Sequence, residues 1–226
     1  MEQAYHPDFG QVVNYSIRAL PGSADGQVRS TVNQLIRYIR EDAWSPFIQQ
    51  EARKMLSLGN GDPNVGCWNL LKPSMKFKRD EAIADDLPID DARKKDIIEV
   101  IIRPIDQWLL IKLRGLGIGD CDCWNAYGAC LLTALGIPCS LATVSADEER
   151  PDEYSHIYLV SYLNGRRTPL DISHGDYAGW ECPNLGRMKE WHVDIRRVDQ
   201  LSEGLLVIAA LTGAWLASKW IEERAA

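Results

Sequence analysis

Residues 121 to 135, CDCWNAYGACLLTAL, constrain the fold more than any other part of the chain. The run is rich in alanine and leucine and contains no proline, so it predicts a buried helix. Gly136 and Pro138 follow at once and predict where the helix ends. With 226 residues, 46% of them hydrophobic, the chain is long enough to bury such a helix in one domain.

Three segments typical of strands follow this helix, at 139–146, 154–163 and 167–173. The pair Asn164-Gly165 lies between the second and third and predicts an antiparallel hairpin. With this pair at the centre of the turn, residues whose numbers sum to 329 face each other, so His156 and Asp171 are diagonal neighbours on one face. A helix followed by an antiparallel sheet predicts an α+β fold.

Residues 1–96 are predicted to form a helical N-terminal part that ends in an acidic loop. Alternation over 11–19 predicts a strand, Asp25 is a candidate cap for a first helix, and Ser45-Pro46 begins a second helix that Gly59 ends. A loop is expected over 59–66. Six acids within residues 80–91 predict a solvated loop, with an acidic docking surface as the alternative.

A core is predicted over 97–200 and a C-terminal apolar helix over 201–226, although one compact domain overall is the alternative. Residues 97–102 are assigned to a strand or a helix start, and Pro104 to the start of a helix. Residues 204–218 carry no charge, but a helix of this length spans about 22 Å, less than the hydrocarbon core of a bilayer. A buried or oligomer-forming helix is therefore favoured over membrane contact.

Charge and composition exclude some classes of function. The formal net charge of −7 argues against nucleic acid as a partner. The N-terminal residues have neither a basic nor an apolar region typical of a Sec signal, which predicts synthesis in the cytoplasm without a signal peptide. The six cysteines are too sparse for a disulfide scaffold, so reduced thiols are expected.

One cysteine is placed as a nucleophile. Cys121 follows Gly119 and Asp120 and opens the predicted helix, where backbone N–H groups and the helix dipole favour a thiolate. A nucleophilic thiol needs a base and a group that orients the base, and His156 and Asp171 are the candidates. Cys130 and Cys139 are expected to be core thiols, whereas Cys67 and Cys182 receive no assignment.

These residues together resemble the transglutaminase-like cysteine peptidase superfamily, which has a papain-like core. The matching segment is GDCDCWNAYGACLLTALGIP at 119–138, followed by histidine in SHIYLV and aspartate in PLDIS. The resemblance covers roughly residues 97–175. It implies that Cys121 is the nucleophile, His156 the base and Asp171 its orienting acid. The layout upstream of the cysteine resembles stand-alone members encoded by phages and prophages, which implies a place in a virion.

The chain departs from the family pattern at Cys123, where a second acid is common. Cys123 is expected to face away from Cys121 and is grouped with Asp120 and Asp122 as a supporting residue. The sequence allows three consequences of Cys123: a simple substitution at a supporting position, oxidative chemistry, or an inactive site. For an oxyanion donor beside the Cys121 backbone N–H, the candidates are Gln107 and Trp108.

The predicted function is acyl transfer at an amide bond of a protein or peptide substrate, with no cofactor and no metal. One alternative is a metal site of Cys121, Cys123 and Cys182 with one of His156, His174 or His192, although the ligand spacing typical of structural zinc is missing. The other is a structural component of a phage particle or other assembly whose activity has lapsed. Homo-oligomers or phage structural proteins are the partners expected for the C-terminal helix.

Overall fold

A computed structural model describes residues 2–6, 11–18, 23–86 and 99–194, with side chains from Ser23 to Ile83 and from Glu99 to Asp194. The predicted apolar helix at 201–226 and residues 87–91 of the predicted acidic loop lie outside the described residues. All of the described residues belong to one compact unit, Met1–Ile195.

The described part is a mixed α and β structure in which helices pack against an antiparallel sheet. Its helices are α1 Ala24–Asp42, α2 Pro46–Leu58, α3 Pro63–Leu71, α4 Asp80–Asp86, α5 Pro104–Arg114 and α6 Cys121–Ala134. Its strands are β1 Glu2–His6, β2 Gln11–Arg18, β3 Met75–Phe77, β4 Glu99–Ile102, β5 Gly117–Gly119, β6 Cys139–Val144, β7 His156–Leu163, β8 Arg166–Leu170 and β9 Met188–Val193. A 3-10 turn, Lys72–Ser74, joins α3 to β3.

The largest sheet has the order β8-β7-β6-β9, and every neighbouring pair in it is antiparallel. The hairpin register is the predicted one, because Leu159 faces Leu170 and Leu163 faces Arg166. Asn164 and Gly165 have φ of 53° and 76°, the positive values that a two-residue turn of type I′ requires. Strand β9, which pairs with β6, has no counterpart in the sequence prediction.

Two smaller sheets contain the remaining strands. The predicted N-terminal strand is β2, which lies between β1 and β4 in an antiparallel sheet. Strands β3 and β5 form a short parallel pair. The N-terminal part therefore contains strands as well as helices, and the segment 97–102 contributes a strand rather than a helix start.

Three local predictions were wrong. Ser23, not Asp25, caps α1, and Asp25 instead pairs with Arg187 at 2.8 Å. The predicted loop at 59–66 contains the start of α3, because Asp62 accepts hydrogen bonds from the first turn of that helix. The predicted solvated loop begins as α4, whose Asp80 is buried and accepts a hydrogen bond from the Val100 backbone N–H at 3.0 Å.

Helix α6 is the centre of the core, as predicted, and every residue from Asp122 to Thr133 is buried. Helices α1, α2 and α3 pack against it, and β6 and β7 contact it from the sheet. The sheet approaches closely at Gly128, where a Cβ atom would lie 2.6 Å from the Ile172 side chain and 2.9 Å from Leu159. Helix α6 is thus held between the N-terminal helices and the hairpin that carries His156.

Within the segments that the structure describes, no helix is long and apolar enough to cross a membrane.

Candidate active site

Cys121 is the first residue of α6, and Asp120 caps that helix by accepting a hydrogen bond from the Asp122 backbone N–H at 3.2 Å. It is half-buried, whereas the other five cysteines are buried. It lines a cleft of about 850 Å³ that His156, His174 and Trp180 also line. Its N–H group is one of the first-turn donors that an α-helix leaves without an internal partner. The start of α6 therefore places Cys121 in the wall of the cleft, with a backbone N–H donor in the same residue.

His156 and Asp171 come together as the hairpin register predicts. His156 is the first residue of β7, Asp171 follows β8 directly, and His156 Nε2 lies 2.6 Å from Asp171 Oδ2. Because a carboxylate only accepts hydrogen bonds, Nε2 carries a proton, and in the neutral form of the ring the lone pair is then on Nδ1. This is the tautomer that a general base needs, with the base nitrogen left free by its acid partner.

Asp171 is fully buried, and its carboxylate is nevertheless held in the charged form. Burial alone would raise its pKa, but the hydrogen bond and charge of His156 and the N–H of His174 outweigh burial, and the pKa lies below its ordinary value. The hydroxyl of Ser173 donates to Oδ1 at 2.8 Å, and the His174 backbone N–H donates to the same oxygen at 3.0 Å. The acid is therefore fixed in position as well as in charge.

The expectation that the helix terminus favours a Cys121 thiolate was wrong. Burial raises the pKa of the Cys121 thiol well above its usual value, and the carboxylates of Asp120, Glu99 and Asp171 raise it further. The Ile157 backbone N–H donates to the sulfur and acts in the opposite direction. The resting form is therefore a thiol, and the Ile157 contact brings its sulfur to the residue that directly follows His156.

A second histidine lies beside the first and was not predicted as part of the enzyme site. The ring of His174 meets that of His156 edge to face, with centroids 4.6 Å apart, and its Nδ1 lies 3.0 Å from Ser173 Oγ. Burial and the neighbouring charge of His156 lower the pKa of His174. Ser173 and His174 lie two and three residues after Asp171, and this closeness in the chain is the one sequence signal that could have suggested them.

Lys72 holds the segment after Asp171 in place through its side chain. Its ammonium group donates to the carbonyl oxygens of Ile172, Ser173 and Gly175 at 3.2, 3.3 and 2.9 Å. It also lies over the ring of Trp68, 5.0 Å from the centroid. The sequence gives no sign of this role, because Lys72 is about 100 residues away from its partners.

Neither candidate for the second oxyanion donor reaches the cleft. The side chain of Gln107 is fully buried, and both ends of its amide bond the backbone of Ile118. Trp108 stacks on Phe47 with ring centroids 4.8 Å apart. Gln107 therefore fixes the chain before the nucleophile and Trp108 packs the helices, so the sequence assignment of both as oxyanion donors was wrong.

The three supporting residues on α6 have different surroundings. Cys123 faces away from the cleft as expected, accepting a hydrogen bond from the Ile102 N–H at 3.4 Å and lying 3.6 Å from the Val100 carbonyl oxygen.

Asp122 is buried beside Asp120, and burial, followed by the charge of Asp120, raises the pKa of Asp122 well above its ordinary value. The same two causes raise the pKa of Asp80 to about 9. Burial also raises the pKa of Glu99, so the start of α6 lies beside several carboxyls whose pKa values are above their ordinary range.

In the described part of the chain, two groups of side chains have ligand atoms close enough together to hold a metal ion. Ligand atoms of His156, Asp171 and His174 lie within 4.8 Å of one another, as do those of Asp120, Asp122 and Cys123. Neither group is the set considered from the sequence, which combined Cys121, Cys123 and Cys182 with a histidine. Cys123 faces β4 and Cys182 lies in the cleft wall, so that combination is not brought together.

The chain matches no protein-family model, no curated protein and no solved structure.

Proposed function

We propose that this chain is a cysteine-nucleophile acyl transferase that acts on amide bonds of a protein or peptide, as a peptidase or amidase, with a papain- or transglutaminase-like core. Cys121 is the nucleophile, His156 the general base and acid, and Asp171 the group that orients and stabilises His156. The proposal combines the family resemblance of 119–138 with the geometry of the cleft.

The observation that carries the proposal is the 2.6 Å contact between His156 Nε2 and Asp171 Oδ2 in the wall of the cleft that Cys121 also lines. A buried, charged carboxylate is costly to a fold unless it is paired, and here it is paired with a histidine that borders an open cleft. A purely structural ion pair does not need a cysteine in the wall of the same cleft. The combination of the three groups supports catalysis.

The reaction begins from the thiol because the site disfavours a resting thiolate. His156 Nδ1 takes the thiol proton as the sulfur attacks the substrate carbonyl, and the new S–C bond forms a tetrahedral intermediate. Asp171 stabilises the imidazolium that results. When the C–N bond breaks, His156 gives this proton to the leaving amine and a thioester remains on Cys121. Water, deprotonated by His156, then hydrolyses the thioester to a carboxylic acid and free thiol.

The developing oxyanion accepts a hydrogen bond from a backbone N–H in the first turn of α6. The Asp122 N–H is already used by the Asp120 side chain, which leaves the Cys121 N–H as the donor at the helix terminus. Transamidation requires only that an amine, in place of water, reaches the thioester. We favour hydrolysis, because the open cleft gives water direct access to Cys121.

A simple activated ester tests the nucleophile without knowledge of the substrate. We expect p-nitrophenyl acetate to acetylate Cys121 and hydroxylamine to remove the label, as measured by intact mass and peptide mapping. Loss of the base in His156→Ala should slow acylation at pH 7 by about 10²-fold or more, the usual contribution of a positioned base.

Two controls make this result specific. Cys121→Ala should remove the label, and His192→Ala should leave the rate within twofold of wild type, because His192 is exposed on β9 and does not line the cleft. Acylation that is no faster at Cys121 than at Cys182, or is indifferent to His156, contradicts the proposal. That outcome favours the alternative of a structural component that has lost activity.

A further inference from the structure

Asn125 occupies an unusual position for an asparagine. It lies one turn after Cys121 in the interior of α6, and its side chain is fully buried. Asparagine is a poor residue for the middle of a helix, since its amide competes with the backbone for hydrogen bonds. A buried amide also loses its hydration and is tolerated only where its donors and acceptors are satisfied. The amide of Asn125 therefore needs hydrogen-bond partners within the fold.

The amide of Asn125 is saturated by backbone groups from three separate parts of the chain. Its Nδ2 donates to the carbonyl oxygens of Cys121 at 2.8 Å and Ile157 at 3.1 Å. Its Oδ1 accepts from the backbone N–H of Leu159 at 3.1 Å and of Ile172 at 3.4 Å. These contacts use both donors and both acceptor positions of the side chain.

Three partners of Asn125 are either a member of the candidate triad or the residue that directly follows one. Cys121 is itself bonded, Ile157 directly follows His156, and Ile172 directly follows Asp171. The β7–β8 ladder ends at the pair of Leu159 and Leu170, one residue before Asp171, so the ladder itself does not reach the acid. The Asn125 amide thus spans the helix that carries the thiol, the strand that carries the base and the turn that carries the acid.

We propose that Asn125 is a positioning residue, whose amide fixes the relative positions of Cys121, His156 and Asp171. The inference rests on the proposed function of these three residues. It deepens that function because it names the side chain that links the backbone of Cys121 to the backbone next to His156 and Asp171. A small displacement of reacting groups is costly, since acid–base catalysis requires them within hydrogen-bond reach.

The test compares Asn125→Ala and Asn125→Asp with Leu132→Ala. Leu132 lies on the same helix, is fully buried and is remote from the cleft, and its truncation is expected to destabilise the fold by about 2–5 kcal/mol. The rate of Cys121 alkylation by iodoacetamide is measured at pH 7, at a temperature where each variant is folded by circular dichroism. We expect at least a tenfold loss in both Asn125 variants and less than a threefold change in Leu132→Ala.

A second readout reports the positions of the groups without substrate or reagent. In the wild-type protein, the Nε2–H proton of His156 in its short bond to Asp171 should give a distinct downfield NMR signal. We expect this signal to be lost in the Asn125 variants and kept in Leu132→Ala. Equal effects of Asn125→Ala and Leu132→Ala on both readouts would show that the role is structural only and would overturn the proposal.

A measurement on the unmodified protein covers the case in which the Asn125 variants do not fold. The side-chain NH₂ of Asn125 should exchange with solvent at least 10²-fold more slowly than that of the exposed Asn184, and equal exchange rates would overturn the inference. Failure of the proposed function is distinguishable, because Cys121 alkylation would then be indifferent to His156→Ala whatever the Asn125 variants do.

Discussion

Asp171 shows, at the scale of single residues, how the fold supports a charged group in its interior. The carboxylate is fully buried, and its two oxygens receive the His156 ring N–H, the Ser173 hydroxyl and the His174 backbone N–H. Burying an unpaired charge costs several kcal/mol, so these partners are what allow the residue to remain ionised. The same contacts fix the tautomer of His156, which links the stability of the site to its chemistry.

Replacing Asp171 by asparagine should remove this link while preserving the size of the side chain. In Asp171→Asn the new amide can present its NH₂ to His156 Nε2, which favours the wrong tautomer, and we expect acylation of Cys121 to fall by about 10²–10⁴-fold. The free energy of unfolding at pH 7 should decrease by about 1–3 kcal/mol. Ser173→Ala, which removes a single hydrogen bond to Oδ1, is the matched control and should have the smaller effect on both measurements.

The pH dependence of stability gives a second check on Asp171. Because the pKa of this acid is lowered on folding, its contribution to stability is present above its unfolded pKa and is lost as the pH falls through the folded value. Urea denaturation from pH 7 down to pH 2 should therefore show a shallower acid loss in Asp171→Asn than in wild type. Parallel curves would mean that the carboxylate is not preferentially ionised in the folded protein.

The placement of the three residues of the proposed triad could be predicted from the sequence because it follows from local rules. Cys121 follows from the start of a helix, and His156 and Asp171 follow from the register of one tight hairpin. The roles of Asn125 and Lys72 could not be predicted, since both side chains bind backbone groups that are tens of residues away in the sequence. Gln107 was misassigned because its partner is the backbone of Ile118, which lies beyond the turn after α5.

At the scale of secondary-structure elements, regular patterns predicted α2, α5, α6 and the β7–β8 hairpin. The first turn of α4 was missed because six acids within twelve residues indicate exposure. The structure instead buries Asp80 against β4, where it accepts the Val100 N–H. A charge pattern reports average exposure and cannot identify the one acid that a strand 20 residues later will cover.

Asp80 connects α4 to the acids at the start of α6, and its pKa of about 9 predicts how the fold responds to pH. Between pH 3.8 and about 9 this carboxyl carries a proton in the folded state but not in the unfolded state. Its contribution to the free energy of unfolding is therefore fully present below the unfolded pKa of 3.8 and is lost as the pH rises toward 9. Asp80→Asn keeps the acceptor for Val100 and carries no titrating proton. We expect the free energy of unfolding of Asp80→Asn, relative to that of wild type, to increase by up to about 4 kcal/mol between pH 5 and pH 8.

The measurement for Asp80 is urea denaturation at pH 5, 6.5 and 8, with Glu81→Gln as the matched control. Glu81 is the adjacent acid on the same helix and is exposed, so its replacement should change stability by less than about 0.5 kcal/mol at each pH. If Asp80→Asn and wild type differ by the same amount at all three values, Asp80 does not hold a proton in the folded protein.

At the scale of the whole molecule, the candidate site and the N-terminal helices share one core. Residues of α1, α2 and α3, among them Leu35, Ile48 and Leu70, belong to the same hydrophobic cluster as residues of α6 and of the hairpin. Helix α6 is therefore supported on both sides, which fits the requirement that catalytic groups be carried on rigid elements. This arrangement could not be predicted, since a sequence pattern gives the apolar face of a helix but not the element that covers it.

The central claim, that His156 and Asp171 activate Cys121, is tested most directly by the pH dependence of Cys121 alkylation. Wild type and His156→Ala are treated with iodoacetamide from pH 6 to pH 10, and each of the six cysteines is followed by peptide mapping. Cys121 should react first, and its rate should climb with pH without a plateau below pH 7, because burial and nearby carboxylates raise the thiol pKa. Loss of His156 should slow the reaction at least tenfold at pH 7 and less than threefold at pH 10. Equal rates for the two proteins at pH 7, or equally slow labelling of all six cysteines, would contradict the account.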